Sequence, residues 1–323
     1  MSILLTGGLG FIGSHCVVEL IKKYSVIIVD NLYNSNINIL DKIETITQQR
    51  PLFYQYDITD YHLLHKVFEE NKIDAVIHLA GYKAVGESGS NPAKYYENNI
   101  NGLLTLLKCM NEFNVKKIVF SSSATVYGQP SELPLSENAK INILNPYGQT
   151  KYMSELILQD YANAYQLSVI ALRYFNPVGA HPSGILGEND EHASNLFPMI
   201  MSVYKHKKEY LEIYGNDYNT KDGTCIRDYI HVVDLASGHM NALNVLKPGF
   251  QVYNLGTGNG YTVLEIIKEF EKQTGKLLNY QYKNRRLGDS DIVYANCKKA
   301  NTMLSWYPKY ELSDMVHHLL KYN

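Results

Sequence analysis

A glycine-rich turn between a short apolar run and a helical pattern opens the chain, and it constrains the fold more than any other feature. Residues 2–5 are mostly apolar and lead into Thr6-Gly7-Gly8-Leu9-Gly10-Phe11-Ile12-Gly13. Across residues 11–22, Ile12, Cys16 and Leu20 fall on one stripe, the spacing of a helix. A buried strand, a tight glycine turn and a helix, in that order, make a place to hold a dinucleotide. Gly10 and Gly13 lack side chains that would block the backbone from a pyrophosphate. The helix that follows offers unpaired N–H groups and the positive end of its dipole to the phosphates. The spacing, G-x-x-G-x-x-G on Gly7, Gly10 and Gly13, is one residue longer than the usual fingerprint.

The same rhythm continues downstream. Apolar runs at 25–29, 52–56, 75–80, 116–120 and 168–173 are followed by Asp30, Asp57, Gly81, Ser121 and Tyr174-Phe175-Asn176. Helical stretches lie between them, notably 92–114 and 147–166. Strands that are apolar on both faces and alternate with helices imply an α/β fold, a doubly wound parallel sheet of the Rossmann type. The pattern breaks after Asn176, and 177–195 carries glycine and proline with little periodicity. Shorter elements at 211–214, 226–232, 252–255 and 279–283 predict a smaller mixed α/β region over 177–323. Residues 226–246 and 252–255 read as one more helix and strand returning to the first domain, which spans 1–176. The active site is expected between the two, at the carboxyl ends of the strands.

Composition narrows the partners. The chain has 323 residues, 45% hydrophobic and 19% charged, the balance of an ordinary globular protein. A formal charge of -2 argues against a nucleic-acid binder. Cys16, Cys109, Cys225 and Cys297 are scattered without metal-ligand spacing, so no metal is expected and the thiols suit a reducing cytoplasm. The first strand starts almost at Met1, so no secretory signal is expected, and no apolar run reaches membrane-spanning length.

Asp30 ends the second strand, 23 residues after Gly7. A carboxylate there accepts hydrogen bonds from an adenosine ribose and repels a 2′-phosphate, and Asn31 rather than arginine follows it. That favours NAD over NADP. Asp57, at the next strand end, could receive the adenine amino group. The chemistry should come from Tyr147-Gly148-Gln149-Thr150-Lys151. Residues four apart share a helix face, and Pro146 suits the start of that helix. A free tyrosine, with pKa near 10, is phenolate in about one molecule in a thousand at pH 7. A cation ~5 Å away at effective dielectric ~20 favours phenolate by roughly 3 kcal/mol, about two pKa units. The phenol would then serve as a base. Ser123, just past a strand end in Ser121-Ser122-Ser123-Ala124-Thr125-Val126-Tyr127-Gly128, supplies a third polar group.

Taken together, these residues resemble the extended short-chain dehydrogenase/reductases, and within them the UDP-glucose (UDP-galactose) 4-epimerase family. The resemblance runs nearly end to end and includes residues 84–88, 121–128, 173–182, 214–218 and 227–231. It implies a bound NAD that is recycled. Tyr147 would take the proton of the sugar 4-hydroxyl, Lys151 would depress its pKa and hold the nicotinamide ribose, and Ser123 would bond the 4-oxygen. A transient 4-keto sugar would then be reduced on its other face, inverting C4. The resemblance also places Ile58, Leu79, Ala80, Gly81, Lys83, Asn98, Ser121 and Phe175 beside Gly7, Gly10, Phe11, Ile12, Gly13, Asp30, Asn31 and Asp57 as cofactor contacts. Lys83 would reach the sugar as well. On the substrate side it implies Asn176 at the UDP phosphates, Asn195 and Leu196 in the uridine loop and Tyr214 against uracil. Arg227 and Arg286 would clamp the diphosphate and Asp289 would hold the uridine ribose. It implies a homodimer through 92–114 and 147–166.

The chain departs from the family pattern at Leu287 and Asn296, where acids are expected, and at Val293, where some relatives carry a tyrosine that closes the sugar pocket. Relatives with a smaller residue there accept N-acetylated sugars, which extends the expected substrates to UDP-GalNAc and UDP-GlcNAc. A 4,6-dehydratase would share the fold and the Tyr/Lys pair but would carry Asp-Glu where Ala124 and Thr125 stand. A net dehydrogenase would consume NAD. A non-catalytic dinucleotide sensor would tend to lose the tyrosine or the lysine, and both are present.

Overall fold

The computed structural model describes residues 1–188, 195–286 and 289–322; Leu287 falls outside them. The first half alternates regularly: β1 (Ser2–Thr6), α1 (Phe11–Leu20), β2 (Ser25–Val29), α2 (Ile39–Thr47), β3 (Leu52–Tyr54), α3 (Tyr61–Glu70) and β4 (Ala75–His78). Then come α4 (Val85–Ser90), α5 (Pro92–Tyr95), a π-helical segment (Tyr96–Ile100), α6 (Asn101–Glu112), β5 (Lys117–Ser121), α7 (Pro146–Tyr165) and β6 (Ser168–Tyr174). The second half adds β7 (Asn176–Val178), α8 (Leu196–Tyr204), β8 (Leu211–Tyr214), β9 (Ile226–His231), α9 (Val232–Asn244) and β10 (Gly249–Leu255). It ends with β11 (Gly260–Thr262), α10 (Val263–Thr274), β12 (Tyr280–Lys283), β13 (Ile292–Val293), α11 (Lys298–Met303) and α12 (Leu312–Tyr322).

Seven strands form one parallel sheet in the order β10-β6-β5-β4-β1-β2-β3. Its central strands are buried almost throughout, as the apolar runs require when helices cover both faces. One core layer joins the sheet to α1, α2 and α9; the other joins it to α3, α6 and α7. The strand order reverses between β1 and β4, so a crevice opens there at the carboxyl ends. Part of the chain after Asn176 lies with the first sheet. α9 packs on the same core layer as α1, and 252–255 is the end of the seven-residue β10 that closes the sheet beside β6. Residues 226–231 do not return. They form β9, the centre of a second sheet with β7, β11 and β13. A two-stranded β8–β12 pair, α8, α10 and α12 complete the smaller domain around its own core.

The helix that carries Tyr147 and Lys151 is well specified locally. The Asn145 side chain accepts the Gly148 N–H at 2.8 Å, Pro146 takes the first helical position, and Gln166 ends the helix at φ 57°. The stretch expected as one helix over 92–114 is instead interrupted by the π-helical turn at Tyr96–Ile100, an irregularity found often at functional sites.

Candidate active site

Loops at the carboxyl ends of β1, β2, β3, β4 and β6 line one cleft of about 890 Å³, counting solvent at its mouth. Gly7, Gly10, Phe11, Ile12, Gly13, Asp30, Asn31, Ile58, Leu79, Ala80, Gly81, Lys83, Asn98, Tyr147 and Lys151 all face it. The glycine turn has no room for side chains. Gly7 stands at φ 71°, and a Cβ on it would lie 2.7 Å from the Ala80 nitrogen; one on Gly13 would lie 2.1 Å from the Gly7 carbonyl oxygen. Such a bare cradle at the start of α1 fits a pyrophosphate. Asp30 is buried at the adjoining strand end. One of its oxygens accepts Leu9 N–H at 3.0 Å and the other accepts Leu32 N–H and the Ser35 hydroxyl, each at 2.9 Å. Three of about four acceptor positions are filled, which leaves room for a ribose hydroxyl.

Asp57 lies beside the cleft but not on its wall. Its carboxylate accepts from Asn31 Nδ2 at 2.8 Å and from the Thr59 amide and hydroxyl at 2.8 and 2.7 Å. Partial burial would raise its pKa, but these bonds outweigh it and hold the group below the usual range. Asn98 sits in the π-helical turn. Its neighbour Asn99 pins the Tyr82 backbone, accepting its N–H at 2.8 Å and donating to its carbonyl at 3.1 Å. Val29, Tyr33, Asn34, Tyr56, Tyr82 and Tyr174 also line the cleft and were not foreseen. They stand at strand ends or just after them, which was the one signal that could have found them.

At the chemical end, Tyr147 and Lys151 are both buried, on one face of α7. The expected depression of the phenol is not what this arrangement produces. Burial pushes Tyr147 up to about 12, with only the Ser123 hydroxyl acting against it. Burial also pulls Lys151 down to about 8, with Glu155 acting against it. The reason is directional. Lys151 Nζ donates to the Ser121 carbonyl at 2.7 Å and lies over the tyrosine ring, 5.9 Å from its centre. Spacing on a helix fixes a shared face, not where an ammonium points. Ser121, expected as a cofactor contact, is fully buried and does not line the cleft; its hydroxyl is 2.8 Å from His239 Nε2. Ser123 Oγ accepts the Thr125 N–H at 3.1 Å and shares a 2.8 Å hydrogen bond with the Thr125 hydroxyl.

On the other side, four of the expected substrate residues converge. Arg227 Nη2 is 3.8 Å from Asp289 Oδ1, and Arg286 Nε donates to Asp289 Oδ2 at 3.2 Å. The Arg286 guanidinium lies 4.5 Å over the Tyr214 ring, so one face of that ring is already covered. Val293 is the β13 partner of Arg227 on β9. It packs on a small cluster with Ala124 and Phe175, and so joins the arginine group to the Ser123 turn. Asn176 is exposed at the start of β7, Asn195 stands just before α8, and Leu196 packs into the second core. Three residues here were missed. Arg285 stacks 4.0 Å over Tyr218 and is held by Asp217 and Asp291. Tyr218 is buried, and its hydroxyl has no hydrogen-bond partner among the described residues. Glu188 accepts a hydrogen bond from Lys83 Nζ at 3.0 Å. Among the described residues, no group of histidine, cysteine or acidic side chains could hold a metal, and no helix is long and apolar enough to cross a membrane.

Comparison with known proteins agrees with this geometry. Residues 4–319 match the family model described as GDP-mannose 4,6 dehydratase. The UDP-glucose 4-epimerase of Yersinia enterocolitica is 50% identical, covering 100% of this chain and 97% of that protein. The UDP-glucose 4-epimerase of Bacillus subtilis (strain 168) is also 50% identical, over 98% of this chain and 94% of that protein. The crystal structure of UDP-glucose 4-epimerase from Bifidobacterium longum in complex with NAD+ and UDP superposes with a TM-score of 0.96 at 47% identity, covering 100% of this chain and 98% of that one. With a cleft, a Tyr/Lys/Ser group and full-length relatives all pointing the same way, the chain belongs to the UDP-glucose 4-epimerase family of the extended short-chain dehydrogenases/reductases.

Proposed function

We propose that this protein interconverts UDP-galactose and UDP-glucose by inverting C4 of the sugar through a transient 4-keto form, with NAD held in the cleft. One observation supports the reading: Tyr147 and Lys151 line the cleft that begins at the glycine cradle, and the Ser123 hydroxyl bonds the Tyr147 phenol. When bound, NAD supplies a reversible hydride acceptor and, oxidised, a positive charge. Every proton step belongs to the chain. Tyr147, held up at about 12 by burial, keeps its proton until positive charge comes close, so it is a base only in the loaded site. Lys151, anchored on the Ser121 carbonyl, keeps its charge over the phenol ring. Ser123, whose hydroxyl acts on the phenol, orients the sugar 4-oxygen. Arg227 and Arg286 suit a diphosphate because guanidinium matches phosphate oxygens two at a time. Holding the nucleotide there would leave the 4-keto sugar free to turn, so that the hydride is returned to its other face while Tyr147 gives the proton back to the 4-oxygen.

Dehydration is disfavoured. Ala124 follows Ser123 with no acid, and the Thr125 hydroxyl is engaged with Ser123. Leu104 on α6 and Leu156 on α7 are 39% and 44% exposed, and they support pairing of two copies through these helices. All four cysteines are free thiols, which supports a cytoplasmic site of action. The test is to incubate purified protein, without added cofactor, with UDP-galactose and follow the anomeric protons by NMR. UDP-glucose should form with no sustained rise in absorbance at 340 nm; a stoichiometric rise would mean a net dehydrogenase. Tyr147→Phe should lower turnover by about 10²- to 10⁴-fold while bound NAD and fold persist.

A further inference from the structure

The loop after β7 is closed on itself. Ala180 and Gly187 form an antiparallel bridge, His181 N–H donates to the Leu186 carbonyl at 2.8 Å, and Gly184 N–H donates to the His181 carbonyl at 2.8 Å. It is also rooted at two places. Leu186 is fully buried in the core layer that contains Leu9, Cys16 and Val17, directly beneath the glycine turn and α1. Gly187 lies so close to the Tyr322 ring of α12 that a Cβ would sit 2.5 Å from it, and Lys321 Nζ donates to the Pro182 carbonyl at 2.6 Å. A loop fixed in this way presents its last described side chain, Glu188, from a set position.

Glu188 takes Lys83, 105 residues away, at 3.0 Å. Lys83 belongs to the loop after β4 and faces the cofactor cleft. The cleft lies where the strand order reverses, with β1 and α1 on one wall and β4 on the other. A loop anchored under α1 that grips the loop after β4 therefore joins the two walls. The pair is unevenly solvated: the Glu188 side chain is 11% exposed and that of Lys83 53%. Partial burial makes it stronger than an ordinary surface pair, while its open lysine end lets salt weaken it.

We propose that the Lys83–Glu188 pair is a latch that retains NAD, with Glu188 a positioning residue that must release Lys83 before the dinucleotide can leave. The proposal rests on the reading of the cleft as an NAD site. An enzyme that returns a hydride to the molecule it came from has no use for cofactor exchange, and a latch of this kind suppresses it.

The experiment measures release, not turnover. Protein carrying NAD is desalted, and NAD remaining per chain is followed over time at low and high salt. Wild type should release slowly, and faster as salt rises. Glu188→Gln, nearly the same size and without the charge, should release about tenfold faster at low salt and show a flatter salt dependence. The double variant Lys83→Met/Glu188→Gln should release no faster than Lys83→Met alone, because the two side chains act as one unit. Activity lost by Glu188→Gln on dilution should return with added NAD. Wild-type release from Glu188→Gln, an unchanged salt slope or additive single and double effects would each overturn the latch. Wild-type protein that neither carries NAD nor epimerises UDP-galactose would instead overturn the reading beneath it.

Discussion

Val293 shows how one side chain can set which sugar fits. It is paired with Arg227 across β13 and β9 and touches the cluster of Ala124 and Phe175, so it stands between the diphosphate-side arginines and the Ser123 turn. A valine leaves space there that a tyrosine would fill. The wild-type protein is expected to convert UDP-GalNAc to UDP-GlcNAc, and Val293→Tyr should cut that rate by about tenfold or more. Its rate on UDP-galactose should stay within a few-fold, both being read by proton NMR of the products. A wild type inert toward UDP-GalNAc would remove Val293 as the determinant. At this scale, residue identity was legible and residue direction was not. Tyr147 and Lys151 could be paired from their spacing, yet the ammonium turns to the Ser121 carbonyl and burial, not attraction, sets the phenol. Glu188 had no local mark at all, since its partner is 105 residues away.

Elements carry the site because strands end where their apolar runs end. That is why the glycine turn, Asp30 and the residues after β4 could be assigned from sequence, while Tyr33, Tyr56 and Tyr82, in the same kind of loop, and Tyr174, at the end of β6, were lost among 27 tyrosines. What keeps α7 in place was hidden too. Glu155, one turn beyond Lys151 and 2% exposed, accepts from Arg173 Nε on β6 at 2.9 Å, from Arg173 Nη2 at 2.5 Å and from the Ser122 hydroxyl at 2.5 Å. Arg173 also reaches Tyr127, which donates to Asn254 on β10. A buried charge left alone is costly, so Glu155→Ala should destabilise the fold by about 3–5 kcal/mol, read from urea unfolding. Replacing both partners, as in Glu155→Leu/Arg173→Met, should recover most of that loss, because the isolated charge rather than the missing bond is what destabilises. If the double variant is no more stable than Glu155→Ala, the pair is not an electrostatic unit.

For the whole molecule, the doubly wound sheet followed from the alternation of strands and helices, but the division of labour after Asn176 did not. β9 stays with the second sheet while α9 and β10 go back to the first, and short strands give no periodic signal of which sheet they will join. Four histidines are buried in this frame: His15 on α1, His78 on β4, His231 on β9 and His239 on α9. Burial pushes them down to about 4, 3, 3 and 4 from an ordinary 6.5. Each is therefore neutral in the folded protein until well below the pH at which the unfolded chain takes up its proton. Their contribution is fully present above pH 6.5 and is lost as pH falls from there toward 4, because the unfolded state binds more protons throughout that window. At pH 5 each group costs about 2 kcal/mol, and the four together several kcal/mol after allowance for a compact unfolded state. Burial lifts the carboxyls of Asp228 and Asp234, which works in the opposite sense as they protonate, but they are two against four. Unfolding free energy from urea titrations should thus drop steeply between pH 7.5 and pH 5. His239→Gln, which keeps a polar group opposite Ser121, should flatten the slope by about one proton. Equal stability at the two pH values would mean that these imidazoles take up protons without unfolding the chain, and that water reaches them.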